Sequence, residues 1–154
     1  MINQFNMKNN EDLNKLQITL LNAIKHVAFI DFAILFGSHA KDKSNPMSDV
    51  DIGIFTTKDI SLLELGDLTA MIESIMNRKV DIVVINTLYR ERPLFVYEII
   101  SNGKVIFSRN NANLIDFRRK AFLYYLDLKH LIDDVNESFK ARLLSNKFGE
   151  KNYA

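Results

Sequence analysis

The sequence predicts an α+β domain in which a small mixed β-sheet is flanked by helices. Apolar residues recur at helical spacing in some segments and form strand-like runs in others, in the order helix, strand, strand, helix, strand, helix, strand, helix. The length of 154 residues is that of one domain. We therefore expect a flexible leader at residues 1–10, a single domain at 11–145 and a polar tail at 146–154.

The first third of the chain predicts one helix and two strands. Residues 11–27 carry leucine, isoleucine and valine at three- and four-residue spacing, which is typical of an amphipathic helix. Residues 29–36 form an apolar and aromatic run that stops at Gly37, which indicates a buried strand and a turn. The polar residues 38–48 predict a short helical turn and a loop. Residues 49–55 alternate in period two, which predicts a strand with an acidic end.

Helices and strands alternate in the remaining two thirds. Residues 62–76 have helical spacing, and residues 79–85 are a compact β-branched run that predicts a strand. Residues 93–101 begin with proline and end shortly before a glycine, which favours a short helix. Residues 104–107 suit an edge strand, and residues 113–144 have the length and spacing of a long terminal helix.

Composition and charge exclude several classes of protein. The 20 Lys and Arg residues against 19 Asp and Glu leave a net charge of +1, so we expect no direct binding to nucleic acid. The absence of cysteine excludes disulfides, thiolate metal sites and cysteine nucleophiles, and fits a reducing compartment. The start does not resemble a signal peptide and no apolar stretch can span a bilayer, so we expect a cytoplasmic protein without a membrane partner.

Gly37 and Ser38 directly follow the first predicted strand. A glycine there lets the backbone turn tightly and allows a phosphate to approach it closely. The serine hydroxyl and the following backbone N–H groups would then form a phosphate cradle. A Gly-Ser pair after a strand is more often a plain turn, so the pair has little weight alone.

Asp49, Asp51 and Asp81 are the candidate metal ligands. Asp49 and Asp51 are two residues apart on a strand, so their carboxylates point to one face, with Cα atoms about 7 Å apart. Asp81 interrupts the next β-branched run and would join them if the two strands pair. Such acids repel one another unless a cation such as Mg²⁺ neutralises them. An isolated Asp-x-Asp is more often a turn residue followed by a solvent-facing one.

The stretch from Leu35 to Phe55 resembles the signature of the polymerase-beta-like nucleotidyltransferase superfamily. Its pattern is Gly-Ser, ten further residues and Asp-x-Asp. The chain is most similar to the minimal nucleotidyltransferase (MNT) branch, the MntA-type antitoxins encoded beside HEPN-domain toxins of the HepT type. The similarity covers roughly residues 11–130 and continues through the Asp81 strand. Where the family commonly has a basic residue and then glycine, this chain has Lys41 and Asp42.

The resemblance implies the polymerase-beta-like fold and transfer of AMP from ATP to a tyrosine hydroxyl of the toxin. Gly37, Ser38 and Lys41 would contact the triphosphate, while Asp49, Asp51 and Asp81 would hold Mg²⁺. Asp81 would also accept the proton of the attacking hydroxyl. The implied partners are ATP and an HEPN-domain toxin, with which the chain would form a hetero-oligomer.

Two other functions fit the same residues. A binding-only antitoxin would cover the RNase site of the toxin with an apolar and aromatic surface on the terminal helix, although most of that stripe is expected to pack on the protein itself. Its residues are Phe117, Phe122, Tyr124, Tyr125 and Leu128. A nucleotidyltransferase acting on small molecules such as aminoglycosides generally has an additional substrate domain, which this length barely allows.

The histidines His26, His39 and His130 lack metal-binding spacing and are expected to be structural or exposed, although His39 lies in the phosphate loop and could touch a ligand. The basic cluster 118–120 is expected to be a solvated helix face.

Overall fold

The computed structural model describes residues 2–40 and 48–144, with side chains from residue 13 onward. It contains five helices and four strands in these ranges. The helices are α1 (Ile2–Ile24), α2 (Leu62–Met76), α3 (Leu88–Glu91), α4 (Pro93–Asn102) and α5 (Asn111–Leu144). The strands are β1 (Ile30–Phe36), β2 (Val50–Thr56), β3 (Val80–Val84) and β4 (Lys104–Ser108).

The four strands form one mixed sheet in the order β3-β2-β1-β4. β1 pairs antiparallel with both β2 and β4, whereas β2 pairs parallel with β3. The prediction of an α+β domain with a small mixed sheet is therefore confirmed, including the edge position of β4. The β2–β3 pairing that Asp81 needed to join the other acids is also present.

Helices cover both faces of the sheet, and the central strand β1 buries side chains on both sides. On one face α1 and α2 place Leu20, Ile24, Leu68 and Ile72 against the apolar side of the strands. On the other face α3, α4 and α5 surround Phe32, which stacks on Phe55 at a ring-centroid distance of 4.7 Å. The period-two alternation of β2 divides its residues between these faces, as the sequence predicts: Val50, Ile52 and Ile54 pack toward α1 and α2.

Helix α2 has the predicted bounds because its ends carry specific signals. Ser61 accepts a hydrogen bond from the Glu64 backbone N–H, and the Glu64 side chain accepts one from the Ser61 backbone N–H, which forms a capping box. A hydrogen bond from Lys58, together with those from Ser61, lowers the pKa of Glu64 to about 2. At the other end, Asn77 adopts the left-handed conformation at φ 51° and stops the helix.

The largest differences from the predicted helices concern the ends of α1, the start of α5 and the short helix α3. α1 begins at Ile2 rather than residue 11, because its polar first turns lack the apolar periodicity used to find it, and it ends at Ile24. α5 begins at Asn111, where the side chain of Asn110 accepts a hydrogen bond from the Ala112 N–H. The short α3 was missed because four residues are too few to show helical spacing.

The terminal aromatic stripe packs mainly on the protein itself. Phe117 is buried against Phe32, and Tyr125 stacks on Tyr97 of α4 at 3.8 Å between ring centroids. Beyond Leu128, the apolar side chains of α5 are largely exposed. Within the described residues, no helix combines the length and apolar character needed to cross a membrane.

Candidate active site

The candidate site lies at the end of the sheet where β1 finishes and β2 and β3 begin. β1 and β2 pair with Phe36 opposite Asp51, which brings the turn after β1 beside the Asp51 side chain. β2 and β3 pair with Asp51 opposite Asp81, on strands about 4.8 Å apart. Asp49 directly precedes β2 and is exposed, as is Asp81, whereas Asp51 is half-buried. The topology thus gathers the three acids at one end of the sheet.

Gly37 has a specific structural reason to be glycine. Its φ of +72° lies in the left-handed region, which side chains with a Cβ rarely adopt. In addition, a Cβ built on Gly37 would lie 2.0 Å from Asp51 Oδ2. The Asp51 carboxylate therefore occupies the space that any other residue at position 37 would fill.

The surroundings of Asp51 disfavour the charged form of its carboxyl. Burial raises the pKa of the Asp51 carboxyl, and the nearby charges of Asp81 and Asp49 raise it further, while His39 lowers it. Carboxylate oxygens are the ligands that Mg²⁺ prefers, so the donor set fits a hard cation. Within the described residues, no three acidic or histidine side chains lie close enough together to hold a metal ion as they stand. The assignment of the acids as metal ligands stays a prediction.

A cleft of about 230 Å³ opens beside Gly37 and Asp51. Its other walls come from Phe36 and from α4, where Phe95 contacts Phe36 edge-on and Asn102 donates a hydrogen bond to Glu98 at 2.8 Å. The bend after β1 is therefore open to a ligand.

A larger cleft, about 420 Å³, lies at the opposite end of the sheet between Asp31 and Lys120, away from the three candidate metal ligands.

Sequence reasoning missed the contribution of α4 to this cleft. Phe95, Glu98 and Asn102 are three and four residues apart and so share one helix face. That spacing was visible in the sequence, but nothing local indicates that this face lies against the turn after β1. Ser38 is half-buried in that turn. Lys41 and Asp42 lie outside the described residues.

His39 is buried, with 3% of its surface exposed, and contacts the backbone of Ser48. The structure therefore supports the expectation that His39 is structural rather than exposed. His26 and His130 are exposed.

In the basic cluster at residues 118–120, Arg119 and Lys120 form ion pairs with Asp116 on the surface of α5.

An α+β domain with an acidic cluster beside an open glycine turn defines the chain as a candidate phosphoryl- or nucleotidyl-transfer protein. Residues 9–112 match the family model described as polymerase beta, nucleotidyltransferase. Because the match covers well over half of the chain, the protein belongs to this nucleotidyltransferase family. Comparison with curated protein sequences finds no match.

Several solved structures share the fold. A toxin–antitoxin structure with AMP-PNP aligns with a TM-score of 0.63 at 18% identity, covering 77% of this chain and 97% of that one. A MntA–HepT toxin–antitoxin structure aligns with a TM-score of 0.59 at 16% identity, covering 79% and 97%. A tri-AMPylated Shewanella oneidensis HEPN toxin in complex with an MNT antitoxin gives 0.56 at 19% identity, covering 82% and 98%. At these identities the likeness shows the fold.

We predict that Gly37→Ala destabilises the protein by about 1–3 kcal/mol, because alanine must adopt a left-handed φ and its methyl group displaces the Asp51 carboxylate. Gly66→Ala is the matched control. Gly66 lies inside α2 with open space around it, so alanine there is expected to stabilise the protein by about 0.5–1 kcal/mol. Urea denaturation of the two variants measures both effects, and equal stabilities would contradict the assignment.

We also predict a pH-dependent effect of Asp51→Asn on stability. The folded-state pKa of Asp51 is raised above 3.8, so ionisation of this carboxyl lowers the free energy of unfolding as the pH rises through that raised pKa. Without divalent cations, the asparagine variant is therefore expected to be more stable than the wild type at neutral pH. The difference should vanish below the ordinary value of 3.8. Denaturation series at several pH values test this, and a difference that grows toward acid pH would refute it.

Proposed function

We propose that this protein is a Mg²⁺-dependent adenylyltransferase antitoxin that transfers AMP from ATP to a tyrosine hydroxyl of a cognate HEPN-type RNase toxin and thereby neutralises it. The observation that carries the proposal is the cluster of Asp49, Asp51 and Asp81 beside the Gly37 turn, in a chain of the nucleotidyltransferase family. Such a protein would act in the cytoplasm.

The fold neighbours support the choice of substrate and partner. One of them is a toxin–antitoxin structure with the ATP analogue AMP-PNP, and another contains an HEPN toxin that carries three AMP groups in complex with an MNT antitoxin. The alignments cover 97% and 98% of the matched chains in these two structures.

The residues of the site suit the individual steps of this reaction. Gly37 allows the triphosphate to approach the backbone, and Ser38 offers a hydroxyl and an N–H in the same turn. Asp49, Asp51 and Asp81 would hold Mg²⁺, which when bound neutralises charge on the triphosphate and the departing pyrophosphate. Asp81 is the exposed acid on edge strand β3, and it accepts the proton of the tyrosine hydroxyl. The tyrosine oxygen bonds to the α-phosphorus as the bond to pyrophosphate breaks.

The transfer reaction is tested with ATP labelled at the α-phosphate, Mg²⁺ and the HEPN-domain protein encoded beside this chain. We expect label on the toxin with the wild type, and a loss on the order of a hundredfold or more with the Asp49→Ala/Asp51→Ala double variant, because removal of two acidic ligands abolishes the cation site. Asp67→Ala removes an exposed acid from α2 and serves as the control with normal transfer. Labelling that survives the double variant would rule out the assigned site.

The exposed side chains of α5 support a second candidate, an antitoxin that acts by binding alone. Leu131, Val135 and Phe139 are each more than half exposed on the distal part of that helix. If the protein neutralises by covering the toxin, the variant lacking all three acids still blocks toxicity in cells. If it neutralises by transfer, that variant fails to protect although it still binds.

A further inference from the structure

His39 forms a hydrogen bond between two segments of the acidic site, although no catalytic role was assigned to this residue. It lies in the turn at residues 37–40, and its Nε2 is 3.1 Å from the backbone oxygen of Ser48. A carbonyl oxygen can only accept a hydrogen bond, so Nε2 carries the hydrogen and donates it. The bond therefore joins the turn that follows β1 to the residue that precedes Asp49.

The His39–Ser48 hydrogen bond lies between two parts of the candidate site, the residue Asp49 and the Gly37 turn. Ser48 is adjacent to Asp49, the acid that is not held within the β2–β3 ladder. Gly37, two residues before His39, leaves the space that the Asp51 carboxylate fills. A buried donor at position 39 thus fixes the distance between the backbone entering β2 and the turn around Asp51.

The charge of the site gives a second connection. His39 lowers the pKa of Asp51, opposite in sign to the effects of Asp81 and Asp49. This direction agrees with the position of His39 in the turn beside the acids, which the Ser48 contact shows independently. A buried histidine in any role usually satisfies its ring N–H with a hydrogen bond. The position of the Ser48 bond, between the Gly37 turn and the residue before Asp49, is what connects His39 to the site.

We propose that His39 is a positioning residue of the candidate active site, whose Nε2–H holds Ser48 so that Asp49 and Asp51 face the same divalent cation beside Gly37. This inference depends on the proposed function in one respect: it takes the cation to be the Mg²⁺ that serves nucleotidyl transfer. Removal of the donor is expected to weaken cation binding while the strands of the sheet stay paired.

The first test measures binding of Mn²⁺, as a paramagnetic probe, to the full chain without nucleotide. His39→Leu removes the donor, and its Mn²⁺ affinity is expected to fall by about 10- to 100-fold. His39→Gln retains an amide N–H donor and is expected to stay within about threefold of the wild type. His26→Leu, at an exposed histidine outside the site, is the control with unchanged affinity. Unchanged binding by His39→Leu, or equal losses in the leucine and glutamine variants, would overturn the inference.

The second test compares the Mg²⁺ dependence of transfer. For His39→Leu we expect a higher Mg²⁺ concentration for half-maximal rate, with recovery at saturating Mg²⁺ and the KM for the toxin unchanged. A purely structural loss would lower kcat at every Mg²⁺ concentration, and that result would contradict a positioning role. If Mn²⁺ binding follows the expected pattern but the wild type transfers no AMP, the proposed function fails and the role of His39 stands.

The wild-type protein supplies a check that does not depend on the variants folding. A long-range ¹H–¹⁵N spectrum of the imidazole rings distinguishes the two tautomers of a neutral histidine. The Ser48 bond requires the hydrogen on Nε2. A His39 ring protonated only on Nδ1, or a wild-type protein that binds no Mn²⁺, would refute the inference.

Discussion

Strand β2 is paired on both sides, and this double pairing fixes the position of Asp51 in the candidate active site. On one side the antiparallel register places Asp51 opposite Phe36, next to the Gly37 turn. On the other side the parallel register places it opposite Asp81. Because side chains alternate between sheet faces, a shift of either register by one residue would turn Asp51 toward α1 and α2. The apolar residues of β2 prevent that shift, since Val50, Ile52 and Ile54 are all fully buried.

The packing of the sheet therefore supports an arrangement that is unfavourable in itself. Three carboxylates at one end of a sheet repel one another. The pKa of Asp51 is raised first by burial of its carboxyl and then by the nearby charges of Asp81 and Asp49. Elsewhere the protein pairs acids with bases or caps, as at Glu64 and Asp116. The contrast is typical of sites where function, rather than stability, determines the residues. Stability is supplied instead by the cores on both faces.

Much of the architecture could be predicted because local patterns and tertiary packing agree. Residues 62–76 were predicted from apolar spacing with the observed bounds, and the capping residues seen in the structure fix the same ends. Asp49, Asp51 and Asp81 were predicted as metal ligands from strand alternation and a resemblance in motif spacing, and this assignment stays a prediction. The wall formed by α4 and the buried contact of His39 could not be predicted, because both depend on how distant segments pack. Periodicity shows which face of a helix is apolar, but not which turn that face meets.

Helix α5 runs from Asn111 to Leu144, so almost all of it follows the residues that match the family model. Its buried side chains, Leu114, Phe117 and Ala121, all lie in its first third, and Tyr125 adds a stacked contact with Tyr97 of α4. From Tyr125 the helix continues for about 28 Å at 1.5 Å per residue. A tilt of roughly 5° about Tyr125 would therefore displace the far end of the helix by about 2.5 Å.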